Sequence, residues 1–457
     1  MSNAIASAGT PPAAKAPKVS SARSTLSIFT TRVVMLPLTI VTSILVARVL
    51  GPNARGIYGF LALIGGFALP ILMLGSGASA TYFISSKRFR AADIFVTCIT
   101  IGFLQGTLGA LLLVTLWVTG LLGTTASATP ASLIIPALIA LPLQGAINMG
   151  TRVALGDSWF ALNNRVMFAT SLCTGLSMLL LVVVLGWGVQ GAVFGIVVNN
   201  SLLFTGILIA SLRRYRPRFA LNWTYLRESW QYAVKAWITD LAVTTNLRLD
   251  QWVLGMAKNP VVLGIYGPAV VISEMLWMIP DSLGFVLFNK IAAARNPEEQ
   301  AELIERLNRL IFWIMALACG ALAHFGPLAI RLLYGANYAA SAEPLAILLV
   351  GTVALTISKM LTKYFAGTGA PHHSGTAVVV GAIVGFALYA PMIRMYGAAG
   401  AAMAHSASYL AAAVTSVFIY RRLVAPRRPN LFGLKISDLS WLREQLRMVR
   451  ARRHADA

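Results

Sequence analysis

Apolar runs of 18 or more residues recur from Leu26 to Tyr420, each long enough to cross a hydrocarbon layer of ~30 Å. In lipid every backbone N–H and C=O must be paired internally, so such runs can fold only as helices. The short alternating strands of a membrane barrel do not occur. The chain therefore reads as an all-α polytopic membrane protein. Twelve spans can be placed, near 26–49, 57–79, 94–119, 131–150, 165–186, 188–212, 231–256, 261–289, 308–325, 344–365, 374–395 and 397–420. Composition agrees: 11% of residues are charged and 57% hydrophobic, where a soluble domain carries about 25% charged residues.

A phrase occurs twice. Gly56-Ile57-Tyr58-Gly59 recurs as Gly264-Ile265-Tyr266-Gly267, 208 residues later, and each copy follows a Leu-Gly pair that ends an apolar run. Gly188-Val189-Gln190-Gly191-Ala192 is echoed by Gly397-Ala398-Ala399-Gly400-Ala401 at a spacing of 209. Two matches in one order at nearly one offset indicate a duplicated chain. Six spans separate equivalent points, so both halves cross the membrane in the same direction, about an axis along its normal. The expected organisation is a disordered cytoplasmic lead (1–24), a first six-helix bundle (25–212), a basic cytoplasmic linker (213–230), a second six-helix bundle (231–420) and a basic cytoplasmic tail (421–457) with an amphipathic helix over 437–453. The lead has no apolar region before a cleavage site, so the first span is expected to act as an uncleaved anchor. Residues 295–309, with Glu302–Arg306 and Glu305–Arg309 at i,i+4 spacing, are expected to form a short surface helix.

The net charge of +22 raises nucleic acid as a partner, but its distribution argues against one. With the N-terminus inside, 30 of the 37 Lys and Arg fall on inner segments and five on outer loops: Arg48, Arg55, Lys258, Arg331 and Arg394. That bias is the positive-inside rule, and it puts both termini in the cytoplasm. The basic charge serves topology and attraction to membrane lipid. Basic and aromatic residues interleave over 213–230, as in an interfacial linker. Cys98, Cys173 and Cys319 all lie in apolar runs and form no disulfide or metal framework. No phosphate loop, H-E-x-x-H, C-x-x-C or G-x-S-x-G motif occurs, so neither an enzyme nor a bound cofactor is expected.

Ionisable groups inside spans are costly and face a cavity or a partner. The seventh span holds Asp240, Thr244, Asn246, Arg248 and Asp250, and the first, its counterpart, holds Arg32. Two equivalent polar helices facing each other would line a central cleft. Arginine offers a planar fork that suits phosphate, so Arg32 and Arg248 are candidates for a phosphate or pyrophosphate head. Arg32 lies only about 9 Å from the inner end of its span at 1.5 Å per residue, so snorkelling is the alternative. For Arg248 the alternative is an ion pair with Asp250 or Asp240. Glu274 and Asp281, seven residues apart on span eight, share a helix face and are ion-coupling candidates with H⁺ or Na⁺. Against that, Glu274 would pair with a neighbouring base and Asp281 cap a break after Pro280. Lys359 and Lys363 share a face at the inner mouth, either to attract an anionic head group or as positive-inside anchors.

Val46-Ala47-Arg48-Val49-Leu50-Gly51-Pro52 followed by Gly56-Ile57-Tyr58-Gly59 resembles the first-span signature of polysaccharide exporters. Asp250-Gln251-Trp252-Val253-Leu254-Gly255, then Gly264-Ile265-Tyr266-Gly267-Pro268-Ala269, resembles their seventh-to-eighth-span signature. Leu333-Tyr334-Gly335-Ala336-Asn337-Tyr338, with Gly367 and Gly369 downstream, continues the likeness. Over about 26–420 the chain resembles the Wzx-type oligosaccharide flippases of the multidrug/oligosaccharidyl-lipid/polysaccharide exporter superfamily. The resemblance implies two six-helix bundles in a V shape, as in multidrug and toxin extrusion transporters, with spans one and seven at the cleft. It implies a bacterial inner-membrane protein that moves a polyprenyl-pyrophosphate-linked oligosaccharide to the outer leaflet by ion-driven alternating access. A polysaccharide polymerase and glycosyltransferases would be its partners in surface or exopolysaccharide synthesis. Arg48 and Asp250 match motif letters, Arg48 in a structural role. The alternatives are a drug or cation exporter of the same fold and an inert subunit of a glycan synthase.

Overall fold

Long apolar helices with few charges bury only part of their surface against one another and leave the rest for lipid. A computed structural model describes the backbone of residues 20–440, apart from 295, 428 and 439; side chains at 20–34, 36, 282, 285, 286, 289 and 292 lie outside the description. In the first half the helices are α1 (Ser20–Leu63), α2 (Leu69–Leu72), α3 (Ser76–Ser85), α4 (Ala91–Val118), α5 (Thr124–Ser127), α6 (Ala131–Gly156), α7 (Phe160–Ser177) and α8 (Gly188–Tyr215). In the second half they are α9 (Trp223–Ala257), α10 (Pro260–Met275), α11 (Met278–Ala293), α12 (Pro297–Tyr334), α13 (Ala342–Gly367) and α14 (His372–Leu423). Two π-helical segments, Ile64–Ala68 and Met178–Val184, interrupt the first half. No strand occurs among the described residues.

Nine stretches of the described residues are long and apolar enough to cross a membrane. Two of these are hairpins rather than single rods. Arg55 hydrogen-bonds Ser43 at 3.1 Å, although twelve residues of straight helix would separate them by ~18 Å. The reversal falls at Gly51, whose φ of 71° is open to glycine, followed by Pro52. Likewise Tyr389 lies 3.0 Å from His405, and the chain turns between them at Gly397 (φ 58°). Helix α9 is too polar to qualify by composition, yet its 35 residues span ~52 Å at 1.5 Å per residue. The described helices thus accommodate the twelve expected crossings.

Packing follows the small residues. Helices α4 and α6 approach until a Cβ on Gly102 would lie 2.4 Å from the Gly145 carbonyl oxygen, and one on Gly145 2.1 Å from that of Gly102. Close backbone approach of this kind is how membrane helices gain contact without a hydrophobic driving force. Outward faces stay apolar, as at Leu108, Val118, Leu317, Val350 and Phe386. An exposed apolar belt on this scale is a lipid-facing surface.

Several expected boundaries move. Helix α1 already includes residues 20–24, which the sequence placed in the lead; residues 1–19 and the tail beyond 440, including most of the amphipathic stretch, lie outside the described residues. The linker shrinks to 216–222, because α8 runs to Tyr215 and α9 starts at Trp223. Residues 297–309 are no separate surface helix but the first three turns of α12, capped by Asn296, whose side chain accepts from the Glu299 N–H at 2.8 Å. Glu302 does pair with Arg306 at 2.8 Å. Arg309 instead forks onto Asp438, both contacts at 2.7 Å, while Glu305 stands 3.9 Å off. Span eight is interrupted at Leu276–Trp277, so Glu274 falls on α10 and Asp281 on α11, and the two take different partners, Arg248 and Lys359.

Candidate functional site

The two halves meet along two seams. At one, α1 crosses α10; at the other, α2 and α3 pack on α9. Trp252 stacks on Phe60 and Phe67 with centroids 5.5 and 5.1 Å apart, and Trp237 Nε1 donates to the Ile71 carbonyl at 2.8 Å. Between the seams lies a cavity of ≈ 450 Å³, within the ~300–1,000 Å³ range of small-molecule sites. Helix α1 contributes Thr39, Thr42 and Ser43 before its turn and Arg55 and Tyr58 after it. Helix α7 contributes Thr170, Ser171 and Thr174; α9 contributes Arg248 and Gln251; α10 contributes Glu274.

Three charged side chains meet this space, and their pairing differs. Arg248 and Glu274 form a two-toothed contact, Nη1–Oε1 at 2.6 Å and Nη2–Oε2 at 3.3 Å. This pair is internally neutral, which lowers the cost of holding either charge at membrane depth. Arg55 is different. It is 8% exposed, donates Nη2 to Ser43 Oγ, and its guanidinium lies 5.2 and 5.4 Å from the ring centroids of Tyr334 and Tyr338. Its Nη1 is buried and meets no hydrogen-bond partner of good geometry among the described residues. Among the described residues lining the cavity, Arg55 is the cation without a carboxylate. The tyrosine faces hold it electrostatically at the cavity wall.

The polar residues of α9 do not act together. Arg248 reaches the cavity, but Asn246 and Asp250 turn into the second bundle. The Asn246 amide donates to the Val378 carbonyl at 2.7 Å and accepts from Ser408 Oγ, so it ties α9 to α14. Asp250 is fully buried; Tyr266 Oη donates to its Oδ2 at 2.7 Å, and His405 Nδ1 lies 3.4 Å away. Thr244 and Asp240 are half-buried and lie off the cavity wall, where Arg152 of α6 acts electrostatically on Asp240. The Arg248 partner is thus Glu274, not Asp240 or Asp250. Arg32 belongs to α1, and its side chain lies outside the described residues. Asp281 and Lys359 pair with each other, both oxygens at 2.9 Å from Nζ, and Lys363 runs alongside Gly284.

Arg55 escapes a reading of the sequence because it follows Pro52 by three residues and falls between apolar runs, as a loop residue would. Its signal is the glycine before that proline: a reversal at Gly51 folds Arg55 back beside Ser43. Arg48 has the structural role expected of it, since its guanidinium caps α12 at the Leu332 and Leu333 carbonyls.

The family model described as polysaccharide biosynthesis protein matches residues 21–289. No curated protein matches the sequence. Among solved structures, the lipid II flippase MurJ in an inward closed conformation superposes with a TM-score of 0.72 at 12% identity, over 88% of this chain and 87% of that one. An inward-facing multidrug resistance transporter of the MATE family superposes with a TM-score of 0.68 at 15% identity, over 85% and 94%. A transporter of the same superfamily from Pyrococcus furiosus, described by the reversed polarity of its binding pocket, gives 0.61 at 15% identity, over 88% and 94%. At these identities the likeness is one of fold.

Proposed function

The chain belongs to the polysaccharide biosynthesis protein family, and from that premise we propose that it flips a polyprenyl-pyrophosphate-linked oligosaccharide from the inner to the outer leaflet of a bacterial cytoplasmic membrane. It is a multi-pass membrane protein, and the positive-inside bias favours both termini in the cytoplasm. The observation that carries the reading is Arg55. A guanidinium with no carboxylate partner among the described residues, on the wall of a cavity between two bundles, suits a pyrophosphate. The hydroxyls of α1 and α7 suit the first sugars, and the apolar wall at Val270 and Val271 suits the start of the lipid.

Arg248 and Glu274 give a means of coupling. A coupling cation, H⁺ or Na⁺, that competes with Arg248 for the Glu274 carboxylate would release Arg248 to a second phosphate contact; its departure would restore the pair and expel the head group. Asp281, paired with Lys359 and off the cavity wall, is the weaker candidate. One observation favours the alternative of a cation or drug exporter: Glu274 stands on the cavity wall, half-buried. Its pairing with Arg248 leaves the described cavity net cationic.

The test is made in a strain lacking the gene. Its polyprenyl-linked glycans are extracted and identified by mass spectrometry, and their reach to an external sugar-modifying enzyme is assayed in spheroplasts. An oligosaccharide trapped inside, released by the wild-type gene but not by Arg55→Gln at equal abundance, is the expected result. An unchanged pool that reaches the outside sinks the flippase reading and moves attention to efflux assays.

A further inference from the structure

A second, smaller cavity of ≈ 240 Å³ opens inside the first bundle and shares Tyr58, Ala62, Thr170 and Thr174 with the central one. Its polar wall is made of Gln144 from α6, Thr174 and Ser177 from α7, and Asn199 and Asn200 from α8. No described residue lining it carries a formal charge. An ion placed there would be unpaired in a low dielectric, so the chamber suits a neutral, hydrogen-bonding guest. Some of that capacity is unspent. Asn199 donates Nδ2 to Thr174 Oγ1 at 3.1 Å, but its buried Oδ1 has no partner among the described residues. The floor at Leu61, Ala137, Ala140 and Ile147 is apolar.

The duplication shows that this space is not a by-product of the fold. In the second half the Tyr58 counterpart, Tyr266, is sealed by Asp250. Asp250 corresponds at the 208 offset to Thr42, whose hydroxyl is occupied by its own helix at the Leu38 carbonyl. At the 209 offset Asn199 corresponds to Ser408, whose single hydroxyl hydrogen is shared between Asn246 Oδ1 and the Gly381 carbonyl. The second bundle thus fills the equivalent positions with side chains bonded to one another, Tyr266 to Asp250 and Ser408 to Asn246, while the first leaves a cavity there. Both π-helical segments border the chamber: one contains Gly65, the other begins at Met178. Such segments are concentrated at functional sites. At Gly65 a Cβ would fall 1.9 Å from Gln144 Oε1, so glycine is what leaves room for that amide.

We infer that this side chamber is the subsite for one neutral sugar residue of the transported lipid, held by Gln144 and Asn199 with its ring beside Tyr58. The inference rests on the flippase reading above. The chamber is smaller than a typical ~300–1,000 Å³ ligand site, which fits a single ring rather than a chain. Hydroxyls would meet the amides, and the apolar C–H face would lie on the floor. The pyrophosphate stays with Arg55 in the central cavity.

The experiment uses the purified full chain in lipid nanodiscs and two probes: polyprenyl pyrophosphate, and the same lipid bearing one neutral hexose or N-acetylhexosamine, each tried in turn. Wild type should bind a sugar-bearing probe about tenfold more tightly, the scale of one or two net hydrogen bonds. Asn199→Leu and Gln144→Leu should each bring that affinity down to the sugar-free level while leaving sugar-free binding unchanged, which also shows that the variants fold. A preference that survives both substitutions overturns the inference. Equal binding of all probes by wild type overturns it too, and leaves the chamber holding water only. Binding of neither lipid by wild type overturns the flippase reading itself, and the subsite with it.

Discussion

Gly56 and Gly264, the leading residues of the duplicated phrase, lie against each other where α1 crosses α10. A Cβ on Gly56 would fall 1.8 Å from the Pro260 carbonyl oxygen; one on Gly264 would fall 1.9 Å from that of Pro52. Pro52 and Pro260 are themselves 208 residues apart. The crossing is therefore two-fold symmetric, and the repeat in the sequence is the seam between the halves. Only glycine permits this approach, because the obstacle is backbone on both sides.

Gly56→Ala and Gly264→Ala should each loosen that seam. Overpacking of this kind costs about 1–3 kcal/mol or more. A lowered melting temperature in detergent is the expected reading. Gly59→Ala, in the same phrase but with open space at its Cβ, should melt as wild type does. Equal effects at positions 56 and 59 would contradict the crossing geometry.

The Arg248–Glu274 pair should show strong coupling. Glu274→Gln leaves a cation at membrane depth without its partner, and Arg248→Gln leaves a carboxylate. Each single change should destabilise by about 1–2 kcal/mol, less than the ~3–5 kcal/mol of a fully buried pair because both side chains are partly exposed. The double substitution should cost less than the sum of the two. A thermal-unfolding double-mutant cycle checks this, and additive losses would mean the two groups do not pair.

Asn246 should prove structural rather than substrate-binding. Asn246→Leu leaves the Val378 carbonyl without its donor and the Ser408 hydroxyl with the Gly381 carbonyl alone, a loss of about 1–3 kcal/mol. The expected outcome is reduced stability with normal transport per folded molecule, measured after normalising for abundance. A transport defect at full stability would return Asn246 to the substrate path.

The segment after α14 is clamped to α12 by a buried pair, Asp438 fully buried and Arg309 nearly so. The Arg309 fork, aided by the Lys435 N–H, holds the Asp438 carboxyl below its ordinary acidity range. A depressed folded value means the clamp stabilises fully above the unfolded pKa of ~3.9 and loses that contribution as pH falls through the folded value. Hydrogen exchange at residues 430–438 should therefore stay slow from neutral pH to about pH 4 and rise in stronger acid. Asp438→Asn should exchange fast already at neutral pH, with little further dependence on acid.

Much of the fold is legible in the chain. Apolar runs longer than a bilayer is thick can only be helices, and the paired glycine phrases mark where two like bundles join. The reversals at Gly51 and Gly397 are visible as glycines in the breaks between runs. What the sequence by itself could not determine is which polar groups meet the cavity. On α9, Asn246, Arg248 and Asp250 are each two residues apart, so successive side chains point about 200° apart around the helix. Their order therefore carries no information about which of them faces the partner bundle. The same limit hid Arg55, whose place in the cavity depends on a turn of the chain, and the Arg309–Asp438 clamp, whose partners are 129 residues apart. The sequence determined that helices form and that there are two sets of them. Only tertiary packing decided that Arg248 joins Glu274, that Asp250 is sealed by Tyr266, and that Arg55 meets no carboxylate among the described residues, because at membrane depth each polar group's partner is set by the rotation of its helix against its neighbours.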